Sequence, residues 1–449
     1  MEFRIRKGLD IRLDGEARRE VRPLETVRYY VSPSDFRWLK PQLLVQAGSE
    51  VAVGTPLFAS KEDERVVVVS SVKGTVREIV RGERRSVETI VLEAFPSDPF
   101  RKQVDFAEPE TSDEVASLLL SNGLWPFLRQ RPFSVIPSPD SRPKSLFISC
   151  FDSAPLAPEH NFLLQGRAEE FREGVRRLHQ LVGAGCPIHL CLRDGAENAC
   201  FEAAENVQFH HFSGPHPAGN VGTQIHRIDP IDKGECVWYI HSQDVAAIGR
   251  FFLTHILSFE RMVAITGPCI KSPCYYTMVY GADISTILQE QIEAKNARII
   301  SGNILTGKQL SQSPHVRLYD TQLTVIAEGG EREFIGWLLP GFRKWSLSHT
   351  FTAWLFRRKT FNHNTSLHGG RRAFVMTDVY EKVFPFEILP LQLLKACLTD
   401  DIEQMEELGI YEVDDEDFAL CEVVCPSKME WQKTVREALF RLRKEIGDS

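Results

Sequence analysis

The sequence lacks most of the patterns that announce a chemistry. Ten cysteines are spread over 449 residues, yet no two stand as C-x2-C; zinc sites and iron–sulfur clusters draw on closely spaced thiolates. No G-x-G-x-x-G opens a helix after a strand, no G-K-[ST] closes a phosphate loop, and no G-x-S-x-G marks a nucleophile elbow. No apolar run approaches the ~18–20 residues that span a bilayer. The start, Met1-Glu2-Phe3-Arg4-Ile5-Arg6-Lys7, has no apolar signal-peptide core. There is also no basic tract: 53 Lys and Arg interleave with 61 Asp and Glu for a net charge of −8, which argues against nucleic acid. These absences predict a cytoplasmic protein whose thiols are structural and which reaches a membrane only through partners.

What is present is ordinary globular composition, 43% hydrophobic and 25% charged, in a chain long enough for about three domains. The order of patterns predicts an α/β multidomain protein: a β domain over 1–100, an α/β domain over 101–255, a β-grasp domain over 256–340, and a mixed then helical region over 341–449. In the first, Gly48-Ser49-Glu50-Val51-Ala52-Val53-Gly54-Thr55-Pro56-Leu57 followed by Val66–Val69 and Gly74 resembles the biotinyl/lipoyl barrel-sandwich family. That family carries its prosthetic group on a hairpin-tip lysine within E-T-D-K or M-K-M. Lys61 has neither context and reads as a solvated tip charge.

Between 101 and 255, strand patterns at 145–150, 187–192 and 207–212 alternate with a charged helix over about 167–181, the signature of βαβ units. Ser112 reads as the N-cap of an earlier helix. The tip after the first strand, Asp152 to Pro158, offers an acid and two prolines where a Rossmann-like sheet would seat phosphate on free amides. Over 256–340, V-x-x-x-G, a helix after Gly281 and I-x-x-G-x-x-x-x-G resemble the soluble-ligand-binding β-grasp family. Further on, Trp345, Phe351, Trp354 and Phe356 cluster with Arg357, Arg358 and Lys359, and helices are predicted over 391–398, 401–408 and 429–446.

Two stretches stand out. The first is Ser213 to His226, with Gly214, Gly219 and Gly222 among prolines and His216. It reads as one ordered loop, a structural hinge between the α/β sheet and the β-grasp domain. His216 or His226 as a proton relay is the alternative. The second is Leu124 to Pro137. Trp125, Phe127 and Phe133 offer a flat apolar surface, and Arg129, Arg131 and Ser134 offer polar contacts, as a quinone would need. The bland reading is that these rings cover the seam between barrel and sheet; a third is contact with a membrane-embedded partner.

Lys7-Gly8-Leu9-Asp10, Gly123 to Pro137, Gly214-Pro215-His216-Pro217-Ala218-Gly219 and Asp415 to Pro426, in this order, resemble the A-subunit family of the sodium-translocating NADH:quinone reductases (Na+-NQR). The family is related to the flavin- and cluster-bearing subunit of respiratory complex I and to the Rnf cluster subunit. The resemblance implies a peripheral subunit on the cytoplasmic face of the bacterial inner membrane, within a complex of six different subunits. It implies no bound cofactor, with NAD, flavins and the iron–sulfur cluster in other subunits and ubiquinone as a possible ligand. Cys421 and Cys425 keep only the last C-x3-C-P of the relatives' cluster motif, a relic too small to ligate a cluster. The competing readings are a pure scaffold, or a stand-alone enzyme using His216, His226 and Asp229.

Overall fold

The computed structural model describes residues 1–96, 100–294, 296–310, 314–329, 345–346, 359–367 and 369–448. Its middle layer is a six-stranded sheet in the order Glu2–Arg4, Gln208–Ser213, Ile188–Arg193, Leu146–Ser149, Val237–His241, Arg129–Arg131. The first five are parallel; Arg129–Arg131 runs antiparallel at the edge. Leu146–Ser149 is buried throughout, as a parallel strand covered on both faces should be. The helices Ala168–Val182 and Ser242–Thr254 pack together, burying Phe171, Val175 and Leu178 of the first.

The chain's first two strands lie outside the barrel. Glu2–Arg4 is the edge of the α/β sheet, and Arg18–Pro23 pairs with Cys274–Val279 in a third, mixed sheet. The barrel proper follows as two sheets, one of Arg28–Val31, Val87–Ala94, Gly74–Arg81 and Glu50–Val51, the other of Pro41–Leu43, Pro56–Ser60 and Val67–Val69. Lys61 is exposed in the turn after Pro56–Ser60. The third sheet orders Arg18–Pro23, Cys274–Val279, Glu260–Thr266, Gln322–Ala327, Ala297–Ser301 and Lys308–Gln309, with the helix Ser285–Gln291 between its strands.

The C-terminal helices Pro390–Thr399, Ile402–Glu407, Ala419–Val424 and Trp431–Asp448 close a second core. Phe418 stacks on Phe384 at 4.8 Å and on Trp431 at 5.9 Å, and Phe133 enters the same core from the α/β unit. No helix among the described residues is long and apolar enough to cross a membrane. Local expectations shift in two places. Thr111, not Ser112, caps the helix Ser112–Ser121, because Thr111 and Glu114 form a reciprocal capping box. The loop after Ser213 ends at Asn220, since Val221–Ile228 is helical. Of the predicted aromatic–basic cluster, Trp345 stands edge-on to His363 at 5.8 Å, and Lys359 lies 5.8 Å over Phe361. Phe351, Trp354, Phe356, Arg357 and Arg358 lie outside the described residues.

One polar network ties three of these units together. Arg131, 1% exposed, donates to Asp417 at 3.1 Å, contacts Glu416 and lies 3.7 Å from Asp414. Arg37 of the barrel reaches Asp414 and Asp415 at 2.7 Å each, and Arg436 donates to Asp415 at 2.7 Å. Burial works against charge throughout. Around Asp414 the guanidiniums of Arg37 and Arg131 outweigh it and hold the carboxyl below the ordinary range, while burial pushes Asp415 and Asp417 up. Removing one partner strands the others without solvent. Arg131→Met is therefore expected to lower unfolding free energy by about 3–5 kcal/mol, measured by urea titration, with Lys at this position recovering part of the loss.

Candidate functional site

A cavity of about 730 Å³ opens where all four units meet, within the range of small-molecule sites. Its floor is the carboxyl end of the parallel sheet, the usual place for a ligand in open α/β folds. Ser149 and Asp152 come from the first central strand and its tip, His216 and Gly219 from the loop after Gln208–Ser213, and Tyr239 and His241 from Val237–His241. The barrel contributes Arg37 and Trp38, the third sheet Lys308 and Tyr319, and the C-terminal region Asp414 to Glu416. A second opening of about 760 Å³ lies between the outer face of the barrel and the third sheet, lined by Arg28, Arg77 and Glu88 among others. It touches no strand end of the α/β sheet, so the four-way cavity is the better candidate.

Arg129 lines this cavity together with Arg37, Lys308, Arg317 and Arg436, its guanidinium lying 5.0 Å over Tyr239 and 4.6 Å over Tyr319. Trp38 also lines the cavity, with the Arg37 guanidinium 4.5 Å and that of Arg443 5.8 Å from its ring and Phe440 edge-on at 5.5 Å. Trp38 has φ of 56°, a conformation a bulky side chain adopts only where its surroundings impose it.

Of the six residues predicted for quinone, Arg129 alone lines the cavity. Trp125 is buried, donates from Nε1 to the Pro137 carbonyl at 2.9 Å and meets Trp238 edge-on at 5.6 Å. Phe127 packs edge-on to Phe259 at 6.2 Å. Phe133 sits in the C-terminal core, Arg131 in the ionic network, and Ser134 accepts from the Tyr239 hydroxyl at 3.0 Å. They form the frame behind the wall. Sequence reading missed Trp38, His160, His241 and Tyr319. His241 was within reach, as the last residue of a strand whose carboxyl end faces the crevice.

The Ser213–Asn220 loop joins a strand and a helix of one layer, so it is not a hinge between the α/β and third sheets. Its glycines serve close approach. A Cβ on Gly219 would stand 2.4 Å from the Ser153 amide nitrogen, and one on Gly222 would stand 2.5 Å from Asp417 Oδ1. Gly214 has φ of +123° and passes over the Ile5 carbonyl. His216 is buried, its Nδ1 3.1 Å from Ser153 Oγ. His226 and Asp229 are engaged elsewhere: His226 Nδ1 lies 2.6 Å from Glu412 and its Nε2 accepts from the Glu387 amide at 2.9 Å, while Asp229 accepts from Ser145 at 2.5 Å. The three residues of the stand-alone-enzyme reading thus have separate partners.

Cys421 and Cys425 are both buried in the C-terminal core. Burial pushes Cys421 up; at Cys425 burial is outweighed by hydrogen bonds, Tyr380 Oη lying 3.3 Å and the Met429 amide 3.4 Å from its sulfur. Cys425→Ala leaves the buried Tyr380 hydroxyl without this partner and is expected to cost about 1–3 kcal/mol, read as a lower thermal midpoint, whereas Cys425→Ser should recover most of it.

Burial also holds the cavity imidazoles neutral, pushing His160 and His216 down to about 4 and His241 to about 3. In the unfolded chain they take up protons from about pH 6.5. Their stabilising contribution is therefore complete above about pH 6.5 and lost as pH falls toward about 4. Chemical unfolding at stepped pH should show stability falling across that window. His160→Gln should reduce the slope by up to ~1.4 kcal/mol per pH unit; an unchanged slope would contradict the assignment.

Three family comparisons match along the chain: residues 3–95 to the NqrA N-terminal barrel-sandwich hybrid domain, 110–257 to the NqrA second alpha/beta domain, and 262–312 to the NQRA C-terminal domain. The A subunit of the Na(+)-translocating NADH-quinone reductase of Haemophilus influenzae (strain PittGG) is 36% identical over 451 residues, covering 98% of this chain and 99% of its own. The protein of the same name from Yersinia pestis bv. Antiqua (strain Angola) is 35% identical over 454 residues, covering 99% and 100%. Among solved structures, an NAD+-reducing [NiFe]-hydrogenase chain aligns with a TM-score of 0.39 at 10% identity over 75% of this chain and 61% of its own, too slight a likeness to argue from. The full-length identity decides the matter: this chain belongs to the family of Na(+)-translocating NADH-quinone reductase A subunits.

Proposed function

We propose that this chain works as a subunit of a Na+-translocating NADH:ubiquinone reductase, docked on the membrane subunits from the cytoplasmic side of the bacterial inner membrane. In this reading it handles quinone without a redox centre of its own. Complex membership rests on the full-length relatives, each named as a subunit of that reductase. NAD, flavins and the cluster are assigned to the other five subunits.

The observation that carries the quinone reading is the cavity at the junction of four units, with a cation stacked between two tyrosines and a tryptophan wall. A quinone ring is flat and uncharged and bears oxygens that accept hydrogen bonds. Trp38 and Tyr319 suit its faces, and Arg129 suits an oxygen. Two features speak for a chain without its own redox group. Asp152 and Pro155 occupy the tip where a Rossmann-like sheet would take nucleotide phosphate, and the Asp152 carboxylate accepts the Ala154 amide at 2.8 Å, closing the tip on itself. Cys421 and Cys425 point into an aromatic core with Tyr380 and Trp431. The docking reading draws on exposed Leu367, Val375 and Met376, 65%, 47% and 73% accessible, beside Arg371 and Arg372; apolar surface rimmed by charge is typical of partner contacts.

A photoreactive ubiquinone added to the assembled complex tests this. Label is expected on segments holding Trp38, Arg129 or Tyr319, suppressed by excess ubiquinone, and reduced by Arg129→Ala. Label confined to other subunits, with a full complement of iron and flavin still bound there, would favour a scaffold that only holds the complex together.

A further inference from the structure

The cavity carries one group that the ionic network and the quinone reading leave unexplained. His216 is 3% exposed and lines the cavity. Its backbone is fully used by the loop: the amide donates to Asp10 Oδ1 at 2.9 Å, and the carbonyl accepts from the Leu9 amide at 2.8 Å. The imidazole is not needed for that. Among the described residues the imidazole is held by Ser153, its Nδ1 3.1 Å from Ser153 Oγ and the ring also engaged by the Ser153 backbone, and Ser153 Oγ has a second partner in the Gly219 amide at 2.7 Å. Nε2 has no hydrogen-bond partner among the described residues. A buried ring with one nitrogen fixed and the other unengaged, at a cavity wall, is a binding group awaiting its partner.

We infer that His216 is a ligand-binding residue of this cavity, whose Nε2 engages an uncharged oxygen on a flat ring. The inference rests on the quinone reading above and adds to it the residue that meets the ring's polar edge. The chemistry narrows the ligand. A neutral imidazole can donate to a carbonyl or accept from a hydroxyl, according to which nitrogen carries the proton. It offers an anion no charge of its own. Ser153 orients the ring, and Gly219 makes room: with any larger residue there, the Cβ would meet Ser153 at 2.4 Å and push the two loops apart. The oxidised form of a quinone presents carbonyls and the reduced form hydroxyls, so one residue serves either form.

The test uses the purified full-length chain with ubiquinone-1 and ubiquinol-1, titrated separately and followed by quenching of intrinsic tryptophan fluorescence. His216→Ala is expected to weaken binding of at least one form by roughly five- to tenfold, with His216→Gln, which keeps a polar atom at the position, retaining most of the affinity. Loss for ubiquinone alone marks Nε2–H as donor; loss for ubiquinol alone marks Nε2 as acceptor. In nitrogen-15 histidine-labelled wild type, the His216 Nε2 resonance should move on saturation, a response that a purely structural imidazole would not give. Wild-type affinity for both forms in a folded His216→Ala chain would overturn the inference and leave the quinone reading standing. No binding of either form by the wild type would remove both. Should His216→Ala fail to fold, an unmoved Nε2 resonance in saturated wild type overturns the inference by itself.

Discussion

Arg131 is the constraint on which the arrangement of units depends. It lies on the antiparallel edge strand Arg129–Arg131 and is buried, yet every carboxylate it meets belongs to Asp414, Glu416 or Asp417, more than 280 residues further along the chain. Arg37 brings the barrel to the same acids. A guanidinium and carboxylates taken out of water are stable only together. The C-terminal helices therefore cannot leave the sheet, and the barrel cannot leave the helices, without exposing an unbalanced charge. Arg129, two residues earlier and so on the same face of this strand, extends over Tyr239 and Tyr319 into the cavity. The network that fastens the units and one of the cations that line the site thus stem from a single three-residue strand.

This explains the character of the cavity. Its floor is made of strand ends, its walls are contributed by separate units, and Asp414, Asp415 and Glu416 along it are paired with arginines. Arg129, aromatic faces and neutral imidazoles remain along its lining, a set that suits the proposed uncharged ring with polar oxygens. The mainly parallel sheet opens the cavity at its strand ends, while its first tip, around Asp152, folds back on the Ala154 amide.

Much of the architecture was legible because it is local. Glycine spacing around Gly48 and Gly54 pointed to the barrel, and strand–helix alternation after Ser145 pointed to a parallel sheet. The ordered motifs from Lys7 to Pro426 pointed to the family. The aromatic-rich stretch around Trp125 was noticed for its composition, but composition does not tell a wall from a frame. Trp125 and Phe127 pack outside the cavity, and the rings that line it include Trp38, a lone tryptophan in an unremarked turn. The Arg131–Asp417 pairing, 286 residues apart, leaves no trace in periodicity or spacing. The same holds for His216 and Ser153, which meet because the loop after Leu146–Ser149 and the glycine-bearing loop after Gln208–Ser213 come together at the carboxyl end of the sheet.

The central claim is that the junction of four units in this chain receives the quinone ring. A structure of the assembled complex with a bound quinone analogue tests it most directly. The account predicts ring density between Trp38 and Tyr319, with one oxygen within hydrogen-bonding reach of Arg129. An analogue seated wholly within another subunit, with only water in this cavity at saturating analogue, would contradict it.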